Sequence, residues 1–171
     1  MIEKVLVESR IRVLNLCLGV DIRRLMNIDS EFILISCFGS VNFKIKDIQP
    51  HVLLRTDTYI DNLKKFGMTD YLNVYFDDVW PEKIANIPDD KKANYFLTEF
   101  NEEKAQSIFD FVNANKDKVK TLVVHCDAGI SRSSAVALSI CDRFNITKQY
   151  IHHDIRPNPY VLSVCKKVFN Q

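Results

Sequence analysis

The sequence predicts an α/β fold, a single domain spanning residues 1–171 with a central, mainly parallel sheet flanked by helices. Three observations carry this reading. The length, 171 residues, suits one domain with room for a sizeable core. Runs of strand character alternate with stretches of helical periodicity, the pattern of strand–helix–strand crossovers. One run, "TLVVH" at 121–125, is continuous in strand character with no polar alternation across Leu122, Val123 and Val124, as a central parallel strand buried on both faces should be. The loop that follows it, between this strand and a buried helix, draws attention for its residue types.

The elements can be justified in order. "KVLV" at 4–7 reads as a strand. Residues 8–28 have no sharp pattern, and "SRIRVLNLCLGVDIRRLM" within them is read as helical. "EFILISCF" at 31–38 is a stronger strand, continuous and apolar; "VLLR" at 52–55 is a short one. "YLNVYF" at 71–76 alternates and ends in acid. Residues 80–100 hold Pro81, Pro88 and several aromatics, and read as an inserted, lid-like loop. In "NEEKAQSIFDFVNAN", Ala105, Ile108, Phe109 and Val112 fall at i, i+3, i+4 and i+7, one buried helical face. Asn101 is its expected N-cap, with two glutamates in the first turn. "SSAVALSICDRF" is apolar on nearly every side, so this helix is buried, and Asn145 closes it in a left-handed conformation. The last helix starts at "NPYVLSVCKKVF": Asn158 caps it, Pro159 opens it, and Val161, Val164, Cys165 and Val168 form its stripe.

Composition narrows the function classes. A net charge of +1, with 26% charged and 47% hydrophobic residues, is ordinary for a soluble domain and argues against a nucleic-acid-coating role. "MIEKVLVESR" is broken by Glu3, Lys4 and Glu8, so no secretory signal is expected, and no apolar run is long enough to span a bilayer. The cysteines, Cys17, Cys37, Cys126, Cys141 and Cys165, are odd in number and widely spaced, without a C-x-x-C pair. Reduced thiols in a cytoplasmic protein are expected, with neither a disulfide framework nor a structural zinc. His152 and His153 have no third ligand nearby and read as surface residues. No metal or cofactor is expected.

The sequence "HCDAGISRS", His125 to Ser133, ends the central strand and opens the buried helix. A helix N-terminus presents unpaired N–H groups and a partial positive charge. A tight loop before it, Asp127, Ala128, Gly129, Ile130 and Ser131, can aim further N–H groups at a common point and cradle a tetrahedral dianion. Gly129 supplies the backbone freedom. Arg132 adds a planar fork matching two phosphate oxygens. Cys126 lies at the mouth of that cradle, where the helix terminus and the arginine favour the thiolate, placed beneath the phosphorus for nucleophilic attack. Ser133 can hydrogen-bond the sulfur and help it leave; His125 can orient the cysteine backbone. Asp127 is negative, held by backbone N–H groups or facing outward, and its sign disfavours heavily acidic substrates.

These nine residues match H-C-x-x-G-x-x-R-[ST], and the chain here resembles the cysteine-dependent protein tyrosine phosphatases, the small dual-specificity branch above all. The strand before the loop, the Ala/Val/Leu helix after it and the "PN" of the final helix extend the likeness over roughly residues 70 to 171. The resemblance implies a metal-free phosphocysteine mechanism and an aspartic acid on a separate loop that protonates the leaving oxygen. Asp78, just beyond the strand "LNVYF", is the choice, since alternation puts it on the face of Phe76. Asp77 is the first rival, Glu82 in "WPE" ranks lower, and Asp89 and Asp90 complete the candidates. The resemblance also attaches to Asn158 a role in supporting neighbouring loops, although capping alone explains it. Lys91 and Lys92 read as solvated charge.

The leading expectation is a protein phosphatase acting on phosphotyrosine, with phosphoserine and phosphothreonine as further substrates. It needs a phosphorylated protein partner and involves neither nucleic acid nor membrane insertion. The alternatives are a phosphatase of a phosphoinositide or an RNA 5′-phosphate, and a phosphate-binding module without turnover. "CDAGIS" carries no cation before Arg132, which weighs against highly charged substrates.

Overall fold

The computed structural model describes residues 1–39, 57–79, 81–86, 88, 98–149, 151 and 154–171. Their elements run β1 (Lys4–Ser9), α1 (Arg10–Cys17), β2 (Phe32–Phe38), α2 (Asp57–Lys65), β3 (Met68–Tyr75), α3 (Pro81–Ala85), α4 (Glu102–Asn115), β4 (Thr121–Cys126), α5 (Arg132–Phe144) and α6 (Pro159–Phe169). The four strands form one sheet in the order β1-β4-β2-β3, and every pairing is parallel. The sheet flanked by helices is therefore the predicted α/β architecture, with β4 and β2 central.

Both faces of the central strands are covered, which is why β2 and β4 are apolar at consecutive positions rather than alternate ones. On one face Leu6, Phe32, Leu34, Phe38 and Val123 pack with Val13 and Leu16 of α1 and Leu63 of α2. On the other, Val5, Val7, Ile33, Ile35, Leu122 and Val124 pack with α4, α5 and α6 through residues such as Ile108, Val136 and Val161. Each such side chain stabilises the fold by about 1.5–3 kcal/mol relative to exposure. Among the described residues, no helix is long and apolar enough to cross a membrane.

The caps fall where the sequence puts them. Asn101 Oδ1 accepts from Lys104 N at 3.0 Å, and Asn158 Oδ1 accepts from Tyr160 N and Val161 N at 3.0 and 3.1 Å. Asn145 adopts φ 54°, ψ 43°, and ends α5. Three boundaries differ from expectation. Only Arg10–Cys17 of the 8–28 stretch is helical, because Gly19 turns left-handed at φ +86° and Asp21 then accepts from Arg23 N to form a turn. Strand β3 begins at Met68, three residues early, through pairing with Phe32. Helix α2 was not read from the sequence at all. The 80–100 stretch contains the short helix α3, opened by Pro81, and its remainder is partly outside the described residues. The expected strand at 52–55, and Asp89, Asp90, Lys91, Lys92, His152 and His153, also lie outside them.

Candidate active site

Parallel pairing of β1 with β4 sets Ser9 opposite Cys126, so the two strands end level with one another. Beyond that point β1 turns into α1, and β4 turns through residues 127–131 into α5. The two turns touch at Gly129. Its φ is +74°, and a Cβ there would lie 2.8 Å from the Glu8 carbonyl carbon, 2.9 Å from its oxygen and 3.0 Å from Ser9 N. Glycine is thus required twice, for its left-handed backbone and for space against a rigid strand end.

The loop is tied on every side. Arg10 N donates to Asp127 O at 3.1 Å, Arg156 N to Ile130 O at 2.9 Å and Asn158 N to Ser131 O at 3.3 Å. Within it, Ser134 Oγ donates to Ser131 O at 2.9 Å and to Ile130 O. Ala128 and Ile130 are exposed, while Gly129, Arg132 and Ser133 are buried. Helix α5 starts at Arg132, one residue before the expected start.

The Cys126 thiol is the focus of this arrangement. Ser133 Oγ donates to Sγ at 3.1 Å, and the backbone N–H groups of Ser133 and Gly129 also point to the sulfur. Burial alone pushes this thiol up. The Ser133 hydroxyl, the two N–H donors and the Arg132 charge together outweigh it and hold Cys126 below the ordinary thiol value. At the other four cysteines no comparable set of donors offsets burial: Cys165 has the Ser139 hydroxyl and Cys17 a backbone hydrogen bond, and both stay raised. Burial raises Cys17 and Cys165 to about 12 and Cys141 to about 11, and lifts Cys37 well above its usual value. His125 lies on the opposite face of β4, fully buried, and burial lowers it to about 4. It is therefore neutral at physiological pH. Its Nδ1 lies 3.4 Å from Cys126 O, which can only accept, so Nδ1 carries the proton and Nε2 accepts from Ser36 Oγ at 2.8 Å. The expected contact of His125 with the cysteine backbone is present.

Arg132 is 6% exposed, and its guanidinium is held from two directions. Nη1 donates to Phe76 O at 3.1 Å, and Nη2 pairs with Asp127 Oδ2. Burial alone would lower this arginine; the Asp127 and Cys126 charges outweigh it and raise it. Asp127 is neither wrapped in backbone N–H groups nor free in solvent. Arg10 Nη1 meets its other oxygen at 3.1 Å, making a row of Arg10, Asp127 and Arg132. Arg10 was missed in the sequence because its proximity depends on β1 lying beside β4.

The adjacent carboxylates part company. Asp78 is exposed, and its Oδ1 accepts from Ser131 Oγ and Asn158 Nδ2, both at 2.8 Å. Asp77 is 8% exposed; its Oδ2 accepts from Thr98 N at 2.7 Å. Gly39 is wedged between Asp77 and Arg132, since a Cβ there would lie 3.1 Å from Asp77 Oδ1 and 3.0 Å from Arg132 Nη1. Glu82 is exposed in the first turn of α3. Asn158 does more than cap α6, correcting the capping-only reading: its oxygen caps while its nitrogen holds Asp78. No group of three potential metal ligands occurs among the described residues.

Comparison with known proteins gives three findings. No family model matches the chain. Dual specificity protein phosphatase 1 of Mus musculus and that of Rattus norvegicus are each 33% identical over 94 residues, which is 52% of this chain and 24% of theirs. The chain thus spans about a quarter of the length of the curated relatives it matches. The crystal structure of PTPMT1 in complex with PI(5)P shares the fold, with TM-score 0.52 and 13% identity, covering 98% of this chain and 91% of that one. The chain is thus similar to a dual specificity protein phosphatase over about half of its own length, and it shares its fold with the PTPMT1 structure.

Two outcomes are expected from the site's construction. Gly129→Ala should destabilise the protein by several kcal/mol or displace the loop, because its Cβ meets backbone that cannot yield. A thermal midpoint and oxyanion affinity equal to wild type would contradict the packing. Iodoacetate at neutral pH should alkylate Cys126 ahead of the other four cysteines, since a depressed pKa means more thiolate at any pH below the ordinary thiol range. Mass spectrometry finding Cys141 or Cys165 modified first would refute the donor argument.

Proposed function

We propose that this chain is a cysteine-dependent phosphomonoester hydrolase acting on phosphotyrosine in proteins, with phosphoserine and phosphothreonine as further substrates, and that residues 1–171 form its catalytic domain. The observation that carries this reading is the Cys126 sulfur, with its Ser133 hydroxyl at 3.1 Å and the loop N–H groups converging on it beside Arg132. Such a site serves no evident structural purpose. A buried charge is costly unless it is paired and hydrogen-bonded, and here donors are gathered for that purpose.

In the first step the Cys126 thiolate attacks phosphorus, forming the S–P bond as the bond to the leaving oxygen breaks. Asp78 gives its proton to that oxygen. The phosphoryl oxygens sit among the N–H groups of residues 127–132 and the Arg132 fork. In the second step water attacks phosphorus, Asp78 carboxylate takes its proton, and the S–P bond breaks. Ser133 Oγ donates to the departing sulfur, stabilising the thiolate. Asp78 is favoured over Asp77 because it is exposed at the loop rim, within 2.8 Å of Ser131, whereas Asp77 is buried against Thr98. No metal takes part.

The choice of a protein substrate rests on charge. The loop has no cation before Arg132 and carries Asp127, which suits a single phosphoryl group better than a polyanion. The same chemistry on a phosphoinositide is the second reading, prompted by the structural likeness to PTPMT1, crystallised with PI(5)P. A panel of phosphopeptides, inositol lipids and RNA 5′-phosphates, read by phosphate release, separates the two.

Cys126→Ser should abolish turnover yet still bind oxyanions, because the backbone donors survive. Phosphate release at a wild-type rate would sink the mechanism, as would activity lost to EDTA and restored by a divalent ion. Asp78→Ala should lower kcat by roughly 10²–10⁴-fold with a tyrosyl leaving group, less for a very acidic phenol, and should flatten the basic limb of the pH–rate profile. If Asp77→Ala or Glu82→Ala removes that limb while Asp78→Ala keeps it, the acid lies elsewhere.

A further inference from the structure

We propose that Asp127 is a specificity-determining counter-charge, tied between Arg10 and Arg132, that limits the affinity of the cradle for anions and turns it away from highly anionic substrates. The proposal rests on the oxyanion-site reading of this loop. Asp127 follows the nucleophile directly, and its two carboxylate oxygens face two different arginines. Oδ1 meets Arg10 Nη1 at 3.1 Å, and Oδ2 meets Arg132 Nη2. The Arg132 side chain is 7% exposed and Asp127 47%, so the carboxylate stands between the buried guanidinium and solvent.

The charged and titratable groups that face Asp127 itself are these. Arg10 faces it from α1 and Arg132 from α5, while β4 contributes the Cys126 thiolate and the neutral His125. Glu8, the nearest acid of β1, is itself engaged by Arg12. Asp77, buried on the other side of Gly39, is a further acid near Arg132. Asp127 thus adds a negative charge at the exposed rim of a site already holding Asp77 and the Cys126 sulfur, and a neutral residue at 127 would leave the cradle one unit more positive. Asp127 also takes part of the fork that Arg132 offers. Nη1 and Nη2 each spend one hydrogen on protein acceptors, so an incoming dianion receives the remaining N–H groups under the field of a neighbouring carboxylate. Product phosphate and acidic substrates both feel that field. A phosphoryl group flanked by neutral or basic residues feels less net repulsion.

The test uses the whole chain with tungstate and inorganic phosphate as probes, by calorimetric titration, which needs no turnover. Asp127→Asn preserves size and removes the charge. It should tighten both oxyanions about tenfold at low salt, the effect of one elementary charge near a dianion, and by less at high salt. Its kcat/KM should rise more for a phosphotyrosine peptide flanked by glutamates than for one flanked by lysines, a ratio that a merely structural role would not move. Arg10→Gln, at a partly exposed side chain, should weaken oxyanion binding several-fold, and it serves where Asp127→Asn folds poorly. Unchanged or weaker oxyanion binding in Asp127→Asn, or unchanged binding in Arg10→Gln, overturns the proposal. Wild type that binds tungstate but releases no phosphate from any substrate defeats the phosphatase reading and leaves this one standing. Wild type that binds no oxyanion defeats both.

Discussion

A sulfur buried to 4% exposure can carry charge only if donors converge on it more strongly than burial penalises it. That requirement organises the molecule. The donors on Cys126 are a hydroxyl from the first turn of α5 and two backbone N–H groups, one of them from Gly129. Backbone donors cannot swing into place as side chains do, so their direction is that of the loop itself. The loop in turn is held by the end of β1, by Arg156 and Asn158 ahead of α6, and by Asp78 beyond β3. Three other parts of the chain therefore meet at the loop that carries the sulfur.

The sheet order explains why these parts can meet. In a parallel sheet all strands deliver their carboxyl ends to one edge, where ligands bind in open α/β folds. Placing β4 between β1 and β2 puts Ser9, Phe38 and Cys126 along that edge, with Tyr75 one strand further. Gly129 closes onto the β1 end, and Gly39, just after β2, leaves room for the Arg132 guanidinium beside Asp77. Two glycines out of four therefore sit where the loop after β4 and its arginine need clearance. His125 serves the same edge from the opposite face: its neutral ring bonds the Cys126 carbonyl and Ser36, bracing the strand end from below.

Much of this was legible because it is local. The strand "TLVVH", the loop "CDAGIS" and the helix after it are contiguous, so their geometry follows from their residue types. The caps Asn101, Asn145 and Asn158 are local for the same reason. Arg10 was not legible, and the second function of Asn158 entered only through the family resemblance, because each depends on a contact across the fold: 117 residues separate Arg10 from Asp127, and 80 separate Asn158 from Asp78. Helix α2 escaped notice because "DTYIDNLKK" has few strongly apolar residues, and its buried anchor Leu63 finds a partner surface only once α1 and the sheet are in place. The stretch from 8 to 28 misled in the opposite sense. Its apolar residues are abundant, but Leu18, Val20 and Leu25 are exposed, and Gly19 ends the helix between them.

Asp77 and Asp78 show how the same residue type, one position apart, is sorted by the fold. Strand pairing persists through Phe76, whose N donates to Phe38 O at 2.7 Å, and Asp77 is then drawn inward by reciprocal bonds with Thr98. A carboxylate so engaged has little freedom to pass a proton back and forth. Asp78, one step beyond, is turned out to the rim, where its only described partners, Ser131 and Asn158, orient it without enclosing it. A group that must be acid in one step and base in the next needs that combination, a fixed direction with access to solvent. Ser131 also belongs to the loop after Cys126, so in the proposed mechanism the bond between them would register Asp78 against the phosphorus without a direct contact between Asp78 and the sulfur. The alternation that singled out Asp78 in the sequence did not contain what the structure adds: the pair differ less by the face of the strand than by the partner at each position, Ser131 and Asn158 for Asp78 and Thr98 for Asp77.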